Sequence, residues 1–227
     1  KQILKYGVHK MAKAKVITAD EAAALIQDGD TIMVGGFLGI GSPGTICDAL
    51  VKKNVKDLTL ICNDTAFPDK MVGKMIVNKQ FKKIIVSHIG TNKETGRQMT
   101  AGELEVDLIP QGTLAERIRS GGIGLGGFYT PTGVGTPAAE GKEMRVLEGR
   151  EMLFETPLKA KVAYLKAAKG DKYGNLRYHA TGTNFNPPMA FAGQTVVAEV
   201  DELVDFLDPD DVHTVGVLVD YIVRRGR

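Results

Sequence analysis

The chain has 227 residues, 43% hydrophobic and 25% charged, with a formal net charge of +2. That is enough to bury one large core, and the mix excludes a disordered or fibrous polymer. Its two cysteines, Cys47 and Cys62, form no CxxC pair, which excludes a disulfide framework and a structural zinc site.

In chain order, residues 1–10 (KQILKYGVHK) come first and carry Lys1, Lys5 and Lys10 but no acid. They read as a leader, a cloning remnant or an upstream extension, ahead of a single domain over 11–227. They lack the apolar segment of a secretory signal, which leaves a cytoplasmic chain as the expectation. Without them the rest has one more acid than base, so no footprint for nucleic acid remains. Thr18 with Glu21 predicts a capping box ahead of an AAALI helix, and Asp28-Gly29 a turn. A buried strand follows over Thr31–Val34, a glycine-rich loop over Gly35–Gly44 and a helix over Thr45–Lys53. Further strands are expected at Leu58–Cys62, Lys82–Ser87 and Glu103–Ile109, with helices at Phe67–Val77 and Thr113–Arg119. The longest apolar stretch, Ile32–Gly41, is broken by glycines and falls well short of the roughly 20 residues of a membrane span. Gly121–Thr136 reads as a long glycine-rich loop, of a length that is usually functional or mobile. Val146–Phe154 and Ala163–Tyr178 read as hairpins, and Thr195–Val200 and Thr214–Val219 as buried strands. The pattern predicts an α/β fold: an open, mostly parallel sheet with helices on both faces, plus an antiparallel C-terminal section.

The chemistry concentrates where strands end. In IMVGGFLGIGSPGTICDAL a strand runs into glycines and the glycines into a helix, an arrangement that offers backbone N–H groups to an anion. Gly39 to Gly44 also spell GxGxxG, with Asp64 20 residues on, the nominal fingerprint of an NAD-dependent dehydrogenase. Against that reading, Pro43 has no N–H to give a pyrophosphate, and the strand meets its glycines earlier, at Gly35-Gly36. A tight turn with no ligand is the plainer alternative. Asn63 and Gln111 each follow a strand, where open α/β sheets bind ligands, and a neutral amide there can donate to a carboxylate or an oxyanion. Turn chemistry alone would also place an amide at either position.

The segment Asp28-Gly29-x-x-Ile32-Met33-Val34-Gly35-Gly36-Phe37-x-x-x-Gly41-x-Pro43 resembles the first signature of the 3-oxoacid coenzyme A transferases. ICND (61–64), SHIGTNKETGRQM (87–99), GELEVDLIPQGTLAERIRSGG (102–122), FYTPTGVGT (128–136), GNLRY (174–178), NFNP (184–187) and AEVDEL (198–203) continue the match to that family's α subunit, of the bacterial acetate/acetoacetate or butyrate–acetoacetate type. The resemblance implies a transferase that moves coenzyme A between a short-chain acyl-CoA and a free carboxylic acid through a covalent glutamyl intermediate. It implies that Gly35, Gly36, Phe37, Leu38, Gly39, Ile40 and Gly41 bind CoA and that Gln111 and Asn63 line the substrate or oxyanion site. For Phe37 and Ile40 core packing is the alternative. The family's glutamate sits in a Glu-Asn-Gly motif on the β subunit, and no Glu-Asn-Gly occurs here. The expectation is therefore a chain with no nucleophile and no metal, working with a β subunit as an α2β2 heterotetramer. A non-catalytic CoA- or effector-binding domain is the remaining alternative.

Overall fold

A computed structural model describes residues 14–226; the leader expected at 1–10 lies outside the described residues. The strands are β1 (Lys15–Ile17), β2 (Thr31–Val34), β3 (Leu58–Ile61), β4 (Phe81–Val86), β5 (Glu105–Leu108), β6 (Phe128–Thr130), β7 (Met144–Leu147), β8 (Arg150–Glu155), β9 (Ala160–Asp171), β10 (Leu176–Arg177), β11 (Gly193–Val204) and β12 (Tyr221–Arg224). The α-helices are α1 (Ala19–Ala23), α2 (Gly44–Lys53), α3 (Val72–Val77), α4 (Lys93–Thr100), α5 (Gln111–Ile123) and α6 (Asn186–Ala192). The main sheet runs β1-β12-β11-β9-β2-β3-β4-β5, parallel throughout, with β10 antiparallel beside β9. A second, antiparallel sheet runs β6-β8-β7. The antiparallel section therefore comprises residues 128–155 and β10, while the C-terminal strands β11 and β12 join the parallel sheet.

Successive strand residues face opposite sides, and both sides are buried. Ile32, Val34, Leu60, Ile84, Val162, Tyr164 and Val197 enter one core with α1, α2 and α3. Met33, Ile61, Ile85, Ala163, Leu165 and Ala198 enter the other with α5 and α6. Fully burying each aliphatic side chain contributes about 1.5–3 kcal/mol, which is why these short strands need no alternation of polar residues. From β2 the chain builds outward through β3, β4 and β5. From β9 it builds the other way, through β11 and β12. The strand order thus reverses between β2 and β9, the switch point where open sheets leave a crevice.

Several sequence expectations shift. The capping box forms as expected: Thr18 Oγ1 accepts from the Glu21 N–H and Glu21 accepts from the Thr18 N–H. The helix expected from Phe67 begins only at Val72, because two turns (Lys70 N–H to Phe67 O, Gly73 N–H to Lys70 O) and the left-handed Met71 intervene. The strand expected at Thr214–Val219 falls at β12 instead, and Gly216–Leu218 is a 3-10 turn. The long loop expected at Gly121–Thr136 is shortened at its start, where α5 extends through Gly121 and Gly122, and is interrupted by β6, while the rest is turn and irregular chain. A Cβ on Gly121 would stand 1.9 Å from Leu158 O and one on Gly122 2.4 Å from Phe191 Cβ, so these glycines permit close packing of a helix.

Candidate active site

Because β2, β3, β4 and β5 are adjacent and parallel, the residues that follow them meet at one edge. Phe37 and Leu38, Asn63, Ser87 and His88, and Gln111 line a cleft of about 360 Å³. No Asp or Glu is among these six residues. Beside it, over the switch point, Phe37, Leu38, Ile40, Thr181 and Asn184 line a more apolar cleft of about 530 Å³.

The glycine loop stands between the two as a hairpin. Phe37 and Ile40 exchange backbone hydrogen bonds of 2.9 Å in both directions. The residues between them, Leu38 and Gly39, have φ of 49° and 86°, the positive pair of a type I′ turn. Most of its amides are already engaged. The Gly35 N–H donates to Tyr164 O, the Gly36 N–H to Asn184 Oδ1 and the Leu38 N–H to Asp64 Oδ2 at 2.8 Å. Among the described residues, the Gly39 and Gly41 amides have no partner. What the loop presents to solvent is chiefly apolar: Phe37 is 40% exposed and Ile40 56%. Neither side chain packs in the core, so that alternative fails for both.

The two amides picked from the sequence touch. Gln111 Nε2 donates to Asn63 Oδ1 at 2.7 Å, and Ser87 Oγ donates to the same oxygen at 2.8 Å. Asn63 is buried and its Nδ2 donates to Asp64 Oδ2, whereas Gln111 is exposed at the cleft. Gln111 is thus the amide a ligand can reach, and Asn63 fixes its orientation from below. Gln111 is also the first residue of the 13-residue helix α5, where the helix dipole favours negative charge. Ser87 and His88 had no role in the sequence reading; their place after a parallel strand, like that of Asn63, was the signal that could have found them.

The start of α2 is not a phosphate site. Glu199, buried, reaches it from β11 and its Oε2 accepts from the Ile46 N–H at 3.1 Å. A carboxylate already occupies the place a pyrophosphate would take in a dinucleotide fold. Asp64, the nominal ribose ligand, accepts instead from the Leu38 and Ala66 N–H groups and from Asn63. The dehydrogenase alternative is therefore overturned by this geometry. Lys52, Lys53 and Lys56, the basic cluster at and after the end of α2, pair with Asp20, with the Ala23 and Ile26 carbonyls, and with Asn78 O. Cys62 is buried, its thiol donates to Asp64 O, and burial followed by the Asp64 charge pushes that thiol well above its ordinary range. Glu103 and Glu105 lie on the surface, paired with Arg97 and Lys79 and with Lys83.

This is an open α/β protein whose clefts at the carboxyl ends of parallel strands offer amides and apolar surface. Residues 16–225 match the family model described as coenzyme A transferase, and the chain belongs to that family. It is 51% identical over 213 residues to the acetate CoA-transferase subunit alpha of Escherichia coli, covering 93% of this chain and 97% of that one. It is 47% identical over 213 residues to the acetoacetyl-CoA:acetate/butyrate CoA transferase alpha subunit of Clostridium acetobutylicum, covering 93% and 98%. Among solved structures it resembles an acyl-CoA transferase from Escherichia coli in a thioester complex with CoA, with a TM-score of 0.85 at 21% identity. That match covers 94% of this chain and 48% of the other, so the chain spans about half the length of that enzyme. Glutaconate coenzyme A-transferase from Acidaminococcus fermentans matches with a TM-score of 0.80 at 17% identity, over 93% of this chain and 75% of that one. At such identities these two likenesses establish the fold.

Proposed function

We propose that this chain is the α subunit of a heteromeric CoA-transferase that exchanges CoA between a short-chain acyl-CoA and a free carboxylate of the acetate, acetoacetate or butyrate type. The observation that carries the reading is a complete ligand edge without an acid: six residues line the polar cleft and none is Asp or Glu, in a chain that matches named α subunits almost end to end. The nucleophile then comes from a partner β subunit, with α2β2 as the expected assembly.

In this scheme the partner's glutamate carboxylate attacks the thioester carbonyl, CoA leaves as the thiolate, and a mixed anhydride remains. The thiolate then attacks the glutamyl carbonyl, which releases the first carboxylate and leaves a glutamyl-CoA thioester. The incoming carboxylate reverses both steps, giving ping-pong kinetics. Each attack builds a tetrahedral oxyanion, stabilised by donors held in place beforehand. Gln111 Nε2, oriented by Asn63 and Ser87, is one such donor. The Gly39 and Gly41 amides and the apolar faces of Phe37, Leu38 and Ile40 receive the CoA arm.

The test is formation of acetoacetyl-CoA from acetyl-CoA and acetoacetate by the purified chain with and without its β subunit. Turnover is expected only from the pair, and full turnover by this chain alone overturns the division of labour. CoA binding with no turnover by the pair would favour a non-catalytic effector-binding domain.

A further inference from the structure

The Phe37–Ile40 pair closes the tip of the glycine hairpin, but its base is held from elsewhere in the chain. Its two arms, entering at Gly35-Gly36 and leaving at Ile40-Gly41, are tied together by two asparagines about 145 residues further along the chain. Asn184 Oδ1 accepts from the Gly36 N–H at 3.1 Å, and its Nδ2 donates to Ile40 O at 3.0 Å and Thr181 O at 2.8 Å. One side chain thus bridges both arms. Asn186 is fully buried; its Nδ2 donates to Gly41 O at 3.0 Å and Gly182 O at 2.9 Å, while its Oδ1 accepts from the Lys166 N–H at 3.0 Å.

The missing side chains of the loop belong to this clamp. A Cβ on Gly35 would stand 2.0 Å from Asn186 Oδ1, and one on Gly41 would stand 2.6 Å from Gly182 O and 2.8 Å from Asn184 Nδ2. At these two positions glycine is needed for the close approach of the asparagines. The tip is held independently by Asp64, through the Leu38 N–H. Among the described residues the Gly39 and Gly41 N–H groups are left without a partner, and the clamp holds the Ile40–Gly41 peptide unit, which carries the Gly41 N–H, through Ile40 O.

We propose that Asn184 and Asn186 are positioning residues for acyl-CoA: they set the backbone of the Gly35–Gly41 hairpin so that its apolar tip, Phe37, Leu38 and Ile40, meets the CoA arm at the switch-point cleft. The inference rests on the reading that this hairpin receives CoA. Neither asparagine reacts; each acts through the loop. Asn184 also lines the apolar cleft, so it is the better lever.

The experiment uses the complex reconstituted with the β subunit, assayed with acetoacetyl-CoA and acetate. Asn184→Asp keeps the acceptor for the Gly36 N–H and turns the donor to Ile40 O into a repelling oxygen. The expected result is a rise of about tenfold in the KM for acetoacetyl-CoA, with the acetate KM within twofold, consistent with loss of the two hydrogen bonds that Nδ2 donates. Hydrogen exchange should speed up in the peptide spanning residues 35–42 and stay unchanged in β3 and β4. Asn184→Ala, which leaves the Asn186 bonds to Gly41, Gly182 and Lys166 intact, serves if the aspartate variant fails to fold. Ile40→Glu, on the exposed tip, is the control for the underlying reading. If Ile40→Glu raises the acetoacetyl-CoA KM and the Asn184 variants do not, the positioning role is wrong and the CoA loop stands. If the Asn184 variants lower thermal stability and raise both KM values together, their role is merely structural and the inference falls. If neither position moves the acetoacetyl-CoA KM, the hairpin is not the CoA site.

Discussion

Truncating Gln111 separates catalysis from stability. Gln111→Ala removes an exposed amide whose one described bond is the 2.7 Å contact to Asn63 Oδ1. That oxygen keeps the Ser87 hydroxyl at 2.8 Å, so no buried acceptor is orphaned. The stability cost is then that of one ordinary hydrogen bond, about 1 kcal/mol or less, which lowers the melting temperature by about 2–4 °C in a chain of this size. The catalytic cost is different in kind. A donor fixed beforehand on a developing oxyanion is worth about 10²–10³ in kcat, roughly 2.7–4 kcal/mol. Steady-state kinetics of the reconstituted complex with acetoacetyl-CoA and acetate, beside a circular-dichroism melt, measure both. We expect kcat to fall at least about a hundredfold while the melt barely moves. A kcat within threefold of the parent would refute the assignment of Gln111 to the oxyanion, whatever the melt shows.

Other consequences concern the scaffold. Glu199→Gln keeps an acceptor for the Ile46 N–H but removes the charge that faces the α2 dipole and Lys166, 3.6 Å away. It should cost about 1–2 kcal/mol, read as a fall of several degrees in the melting temperature, and an unchanged melt would contradict this. Cys47 and Cys62 are buried, and burial pushes both thiols up, so a thiol-specific reagent should label neither until the protein unfolds; rapid labelling of the native chain would contradict the burial. On the surface, Arg97 holds the Glu94 and Glu103 carboxyls down to about 2, aided by Gln98 and Lys79 respectively. Depressed carboxylates stabilise above their unfolded pKa and lose that contribution as pH falls through the folded value. The destabilisation by Arg97→Ala should therefore be full at neutral pH and fade between about pH 4.5 and 2, and be smaller in high salt because the network is exposed. An Arg97→Ala penalty that persists at pH 2 would rule this out.

How much the sequence reveals depends on what kind of signal each element carries. The central strands β2 and β3 and the Ile84–Val86 end of β4 are buried on both faces and show as short, mostly apolar runs, and Thr18 with Glu21 marks a helix start by local chemistry alone. Helix α4, KETGRQMT, has no apolar stripe: its buried residues are Thr95 and Gln98, held by hydrogen bonds that periodicity cannot register. In α6, Pro187 and Pro188 look like breakers but sit in the first turn, where a missing N–H costs nothing. The apolar run at 214–219 promises a strand, yet the hydrogen bonds go to β12 two residues beyond it. For the site, the rule that ligands gather at the carboxyl ends of parallel strands was enough to pick Asn63 and Gln111. It could not show that one is buried beneath the other, nor that the loop's amides are mostly spent on Asn184 and Asp64, since those bonds join residues far apart in the chain.

The most direct measurement is where the covalent adduct forms. The complex is mixed with acetoacetyl-CoA, reduced with borohydride to convert any glutamyl thioester to an alcohol, and both chains are digested and weighed. The account predicts one modified glutamate, on the partner, with every carboxylate of this chain unchanged. A reduced Asp or Glu within residues 14–226 would contradict it.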